Sequence, residues 1–295
     1  GNGHRLWPVS LNHLTLGMVY NFAAEMTGLG LVHGAGKLMG LAPYGQPVFF
    51  DKAFVGNESD IRARFGTDHW TAWSEHCRTE GSKRGYDMTA LGDPNRVTEP
   101  INADIAASTQ LLFEETYLAA VRALACMLAA GGHAAAKLCL SGGTALNCPS
   151  NSRIWREGPF EEVFIEPTCD DGGLAIGAAM HVHYNLLDNP LPQTTAHATP
   201  YLGSCYSEED VEDALAGADG ISWSRPADAA TAAAEDLLAD KVIAWFEGGS
   251  EAGPRALGHR SILADVRPSE NWLRVNKVKG REPWRPFAPI VLAEK

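Results

Sequence analysis

Residues 137–180 read KLCLSGGTALNCPSNSRIWREGPFEEVFIEPTCDDGGLAIGAAM. Two short apolar runs, Lys137–Leu140 and Glu162–Glu166, each lead into paired glycines and then into a helical pattern. Strand, glycine turn and helix, twice in succession, predict an α/β fold with ligand groups at the carboxyl ends of adjacent strands. The turn Ser141–Asn147 opens a helix that runs to about Arg156 and offers backbone N–H groups to an anion. Gly142 and Gly143 allow close backbone approach, and Asn147 can orient a hydroxyl or phosphate. Asp170 and Asp171 sit at the second turn, where one carboxylate can bind a metal, although a divalent site needs further ligands.

Upstream, Asn102–Ala130 places Ile105, Leu112, Leu118, Val121, Leu124 and Leu128 on one side of a long helix ended by Gly131-Gly132. Residues 14–27 form another helix, with Leu14, Met18, Phe22 and Met26 at helical spacing. Gly34–Gly45, GAGKLMGLAPYG, lacks the GxxxxGK[ST] of a phosphate loop. It reads as a glycine-rich turn around Lys37, lining a ligand cleft or purely structural. Phe49–Pro100 has no clean period; its His69, His76, Phe65, Trp70, Trp73 and Tyr86 read as a surface insertion, with an acceptor pocket as the other reading.

Downstream, Asp188–Pro200 has three prolines and little apolar content, which sets a domain boundary there. An acidic helix with a Ser N-cap follows at Ser207–Ala218, then an Ala-rich helix at Asp228–Asp240 and a strand at Lys241–Phe246. The chain then enters EGGSEAGPRALGHRSILADVRPSENWLRVNKVKGREPWRPFAP, Glu247–Pro289. Between Arg255 and Arg285 it carries eight Lys/Arg against three Asp/Glu, in a chain of net charge −12. A positive island in an acidic protein points to a bound anion. Arg255 and Arg260 flank a Gly-His turn, and Lys279, Arg281 and Arg285 follow a helix expected over Asn271–Val278. Arginine forks suit phosphate or carbamoyl oxygens, and lysine adds a point charge. His259 fits a titrating role or a structural one. Ile290–Leu292 reads as the start of a further strand.

The 295 residues are enough for two domains. A pI near 5.3 argues against general nucleic-acid binding, and no apolar run is long enough to span a membrane. Six scattered cysteines read as reduced, mostly buried thiols of a cytoplasmic protein. The chain opens without Met and without a signal peptide's apolar segment, and ends in what reads as a strand; a piece of a longer protein is expected.

GKLMGLAPYG, SGGTALN, DDGGLAIGAA, EGGSEAGPRALGHRSILADVR and VKGREPWRPFAP together resemble the NodU/CmcH family of O-carbamoyltransferases. The resemblance runs along almost the whole chain. It implies an actin-like ATPase (ASKHA, Kae1-like) domain over 1–198, followed by part of an α/β YrdC-like domain over 199–295. It further implies that carbamoyl phosphate and ATP give a carbamoyl-adenylate in the second domain. The first then transfers the carbamoyl group to a hydroxyl of a small-molecule natural product, near Fe2+, with Mg2+ a further candidate ion. The family's motifs place nucleotide contacts at Gly142, Gly143 and Asn147, and a metal ligand at Asp171. They place anion-handling residues at Arg255, Lys279 and Arg285, with Arg260 a further match; Lys37 is a separate candidate for cofactor binding. The family's His-x-x-x-His metal pair is matched by none of His4, His13 or His33. A membrane or nucleic-acid partner is not expected; a homodimer is a candidate assembly. Alternatives are a transferase of the tRNA threonylcarbamoyl type, an ASKHA-type small-molecule kinase, and a non-catalytic nucleotide-binding fragment.

Overall fold

The computed structural model describes residues 16–55, 67–190 and 199–294. Leu14, Phe65 and residues 191–198 of the linker lie outside them. The chain divides into two compact units between Cys169 and Asp170.

The first unit is built around helix α4, Pro100–Ala130. Pro100 sits in the first turn, where no amide hydrogen is required. At the other end Gly132 takes φ 73°, and the His133 amide reaches the Leu128 carbonyl at 2.9 Å; glycine tolerates that left-handed closure. Ile105, Leu112, Leu118 and Val121 are buried, as their spacing predicts. Helices α1 (Leu16–Met26) and α2 (Ala35–Leu41) pack against α4.

Gly34–Gly45 is helical rather than a glycine-rich turn, because α2 continues into a 3-10 turn at Ala42–Tyr44. Two of its glycines, Gly34 and Gly45, serve packing. A Cβ on Gly45 would sit 2.0 Å from the Ala103 carbonyl oxygen of α4, and one on Gly34 would sit 2.1 Å from that of Gly30. Leu38 and Leu41 fill the contact and are fully buried.

Phe49–Pro100 is not a surface insertion either. Helix α3, Thr67–Lys83, buries Trp70, Trp73 and Cys77 at helical spacing, and Phe49 is buried as well. Burial pushes the Cys77 thiol up to about 12, so it stays protonated and inert.

Strands β1 (Lys137–Leu140) and β2 (Glu162–Ile165) pair in parallel, with helix α5 (Cys148–Glu157) between them in sequence. Leu138 and Leu140 face a core of Val121, Ile154 and Phe160. The same alternation turns Cys139 outward. Cys126, Cys148 and Cys205 are exposed too, so only Cys77 and Cys169 are buried, against the expectation of mostly buried thiols.

In the second unit α6 (Gly173–Met180) runs into a π-helical turn at His181–Leu186. Helix α7 (Glu208–Ala216) opens with a reciprocal cap between Ser207 and Asp210, and α8 (Ala229–Leu238) is capped by Asp228. Strand β3 (Ile243–Phe246) pairs antiparallel with β4 (Arg260–Leu263), and α9 spans Glu270–Val278. The strand expected at Ile290–Leu292 does not form. These residues are exposed and meet no partner strand among the described residues, and an extended segment without a neighbour gains no ladder. Among the described residues, no helix is long and apolar enough to cross a membrane.

Candidate functional site

The loop joining β3 to β4 is organised by a buried carboxylate. Glu251, 3 % exposed, accepts hydrogen bonds from the amides of Leu257 and His259 through Oε1, while Oε2 lies 3.3 Å from Arg260 Nε. Burial pushes this carboxyl up, but the amides and the Arg260 charge outweigh it and hold it below the ordinary range. Arg260 Nη2 also donates to the carbonyls of Gly253 (2.6 Å) and Arg255 (3.4 Å). Arg260 therefore works inside the loop, and Arg255 stands exposed on it. His259 Nδ1 lies 2.9 Å from the Gly249 carbonyl. A carbonyl can only accept, so this nitrogen carries the proton. The ring stacks on Tyr201, with centroids 3.6 Å apart and planes 12° apart. The histidine is thus pinned on its face and on one edge.

After α9 the chain folds back on the helix. Asn276, fully buried, donates to the carbonyls of Pro283 (3.2 Å) and Arg285 (2.9 Å), and Trp272 Nε1 donates to the same Arg285 carbonyl at 2.7 Å. Gly280, at φ 59°, makes the reversal, and the Arg281 amide closes onto the Asn276 carbonyl. Arg281 lies over the Phe287 ring at 4.9 Å and gives one hydrogen bond to the Pro286 carbonyl. Its buried Nε has no hydrogen-bond partner. Burial lowers its pKa, and the charges of Arg285 and Arg255 lower it further, against an opposing pull from Glu282. Three guanidinium groups therefore share one neighbourhood, a crowding that a bound anion relieves.

The structure thus brings together Arg255, Arg281 and Arg285, all named from the sequence, where Arg281 stood beside Lys279 and Arg285 after the expected helix. Lys279 is exposed at the C-terminal cap of α9. The supports Asn276, Trp272 and Glu251 were missed. A buried-face Asn in a short helix and an acid within a basic run were the signals available.

In the first unit, the turn after β1 has Gly142 at φ 91°, and its amide donates to the Cys169 carbonyl at 2.6 Å. This bond ties the end of β1 to the turn after β2. A Cβ built on Gly142 or Gly143 would meet nothing within 4 Å, so the glycine side of the turn is open. Asn147 faces the other way. It is buried, caps α5 by accepting from the Ser150 amide at 3.1 Å, and bonds Tyr20 and Gln110. The open side is accordingly lined by backbone, with the Asn147 amide held inside.

Asp170 accepts from the Gly172 amide at 3.1 Å at the start of α6, while the Asp171 side chain is exposed. Among the described residues no group of three or more His, Cys, Asp or Glu is arranged to hold a metal ion. One exposed carboxylate does not fit Fe2+ or Mg2+ by itself. Lys37 is half-buried on α2.

A family profile described as Carbamoyltransferase N-terminus matches residues 2–180, and one described as Carbamoyltransferase C-terminus matches residues 234–295. The chain is 36 % identical, over all its length, to an uncharacterized protein of Synechocystis, of which it covers 49 %. It is 35 % identical to nodulation protein NolO of Bradyrhizobium diazoefficiens, with 96 % of this chain and 49 % of that one aligned. It is 33 % identical to the 3'-hydroxymethylcephem-O-carbamoyltransferase of Streptomyces clavuligerus, with 89 % and 45 % aligned. The chain spans about half the length of these curated relatives. With both profiles matched in order, the chain belongs to the carbamoyltransferase family of the NodU/CmcH type.

Proposed function

We propose that the protein containing this chain is an O-carbamoyltransferase. Carbamoyl phosphate loses its phosphate to water, the resulting carbamate attacks the α-phosphate of ATP with loss of pyrophosphate to give a carbamoyl-adenylate, and the carbamoyl group then passes to a hydroxyl of a small-molecule natural product with loss of AMP. Residues 1–198 are read as the Kae1-like, actin-like ATPase domain that carries out transfer. Residues 199–295 are read as part of the YrdC-like domain that carries out activation. The observation that carries this reading is the convergence of Arg255, Arg281 and Arg285, with a buried unpaired Nε, in a chain of net charge −12. The name of the Streptomyces relative, which puts the carbamoyl group on a hydroxymethyl oxygen, favours a hydroxyl acceptor.

In the activation step the guanidinium cluster and Lys279 offset the charge of two phosphorylated reactants held side by side. Arg forks fix oxygen positions; the exposed Lys279 acts as a mobile point charge. Glu251 and Arg260 keep the Arg255 loop in shape, and Asn276 and Trp272 do the same for Arg281 and Arg285. In the transfer step the open glycine side of Gly142–Gly143 lets an anionic leaving group approach the backbone amides.

The test uses the full-length protein with ATP and carbamoyl phosphate. Release of pyrophosphate and phosphate that requires both substrates is expected. Phosphorylation of an acceptor by ATP without carbamoyl phosphate would instead assign a kinase.

A further inference from the structure

Asn147 belongs to a closed ring of three buried side chains drawn from three parts of the first unit. Tyr20 comes from α1, Gln110 from α4 and Asn147 from the end of the glycine turn. The Tyr20 hydroxyl donates to Gln110 Oε1 and accepts from Asn147 Nδ2 at 3.0 Å. Gln110 Oε1 also accepts from Asn147 Nδ2 at 3.2 Å. Gln110 Nε2 gives one hydrogen to Asn147 Oδ1 at 3.1 Å and the other to Glu114 at 2.6 Å. Both functional groups of the Gln110 amide are thus engaged, and burial pushes the Tyr20 phenol far above its ordinary range, so it remains a donor.

Helix α4 makes further contacts with the turn and with α5. Tyr117, seven residues beyond Gln110, hydrogen-bonds Thr144. Arg153 of α5 reaches Glu115 at 2.8 Å and Glu114 at 3.4 Å. A polar ring in a core is an expensive way to gain stability alone, since apolar groups of the same shape serve as well or better; its distinct product is a unique geometry. Here that geometry ends at the turn whose opposite, glycine side is open.

We propose that Tyr20 and Gln110 are positioning residues for the anion-binding turn Gly142–Gly143, acting through Asn147 without touching the ligand. This rests on the reading above that the turn takes the anionic, nucleotide-bearing group. The three hydrogen-bonding side chains fix where Asn147 stands. Asn147 in turn fixes the C-terminal end of the turn, and with it the direction of the amides between Gly142 and Thr144. Loss of one partner lets the amides wander while the apolar packing of α1 on α4 persists.

The experiment uses the full-length protein and ATP as the probe, with amide hydrogen exchange read over residues 141–147. In the unaltered protein, ATP should slow exchange across this segment. Tyr20→Phe removes one oxygen, and Gln110→Met keeps the shape of the side chain. Each should need roughly tenfold more ATP for the same protection, about 1.4 kcal/mol, beyond what the fall in melting temperature from the unpaired buried partners accounts for. Should Gln110→Met fail to fold, Tyr20→Phe decides alone. Wild-type protection in both variants would overturn the proposal. So would a loss of protection that merely follows a fall in melting temperature. If ATP leaves residues 141–147 unprotected in the unaltered protein, the reading on which the proposal rests fails instead.

Discussion

Glu251 and Arg260 form an ion pair at 3.3 Å, a buried acid beneath a partly exposed guanidinium, and this pair shapes the loop that displays Arg255. Glu251→Gln keeps the size of the side chain and removes its charge. It should cost about 2 kcal/mol, the scale of buried hydrogen bonds to a charged group. The pH dependence follows from the depressed carboxyl. Its contribution is fully present above the ordinary glutamate value and is lost as pH falls through the lower folded value. Urea midpoints of the two proteins should therefore differ at pH 7 and converge in acid. Equal midpoints at pH 7 would show that the pair does not hold the loop.

Gly45 and Gly36 should respond oppositely to the same change. At Gly45 a Cβ meets the Ala103 backbone at 2.0 Å, so Gly45→Ala should destabilise by about 1–3 kcal/mol. At Gly36, inside α2, a Cβ meets nothing within 4 Å, and Gly36→Ala should stabilise by about 0.5–1 kcal/mol. Thermal melts of the pair check this; the same sign for both would contradict the packing described for α2.

Much of the secondary structure was legible in the sequence, and the reasons are local. Helix α4 shows its apolar stripe and its Gly131-Gly132 stop, and β1 and β2 are bracketed by glycine turns. Ser207 reads as a cap and is one. Helix α3 was not legible, because its buried face is Trp70, Trp73, Cys77 and Gly81, two aromatics and two small residues among charges. The Gly34–Gly45 helix was misread because glycine is as useful for close helix packing as for turns. At the basic stretch charge offered eight residues, and the family's motifs narrowed them to Arg255, Lys279 and Arg285. Distinguishing Arg281 from the remaining basic residues requires knowing that α9 folds 281–287 back onto itself.

Arg281→Ala separates folding from anion binding. Removing one of three crowded guanidinium groups should leave the melting temperature unchanged or slightly raised, since the lost charge is one that its neighbours oppose. The Michaelis constant for carbamoyl phosphate in the full-length protein should rise by at least about tenfold. A large fall in melting temperature with an unchanged Michaelis constant would make Arg281 a structural residue.

Asn147→Ala removes both the α5 cap and the link to Tyr20 and Gln110. The cap alone is worth about 1 kcal/mol, and unpaired buried partners add about 1–3 kcal/mol. Denaturant unfolding should register the sum. Gly143→Ala, which places a methyl in open space, should leave stability within about 0.5 kcal/mol.

We propose that the basic stretch acts on the carbamoyl donor and ATP. The most direct measurement is pyrophosphate release by the full-length protein, unaltered and as Lys279→Ala, with ATP alone and with ATP plus carbamoyl phosphate. Release that requires both substrates, and that falls by about a hundredfold or more in the variant, is the predicted result. Undiminished carbamoyl-phosphate-dependent release by Lys279→Ala, or release indifferent to carbamoyl phosphate, would contradict it.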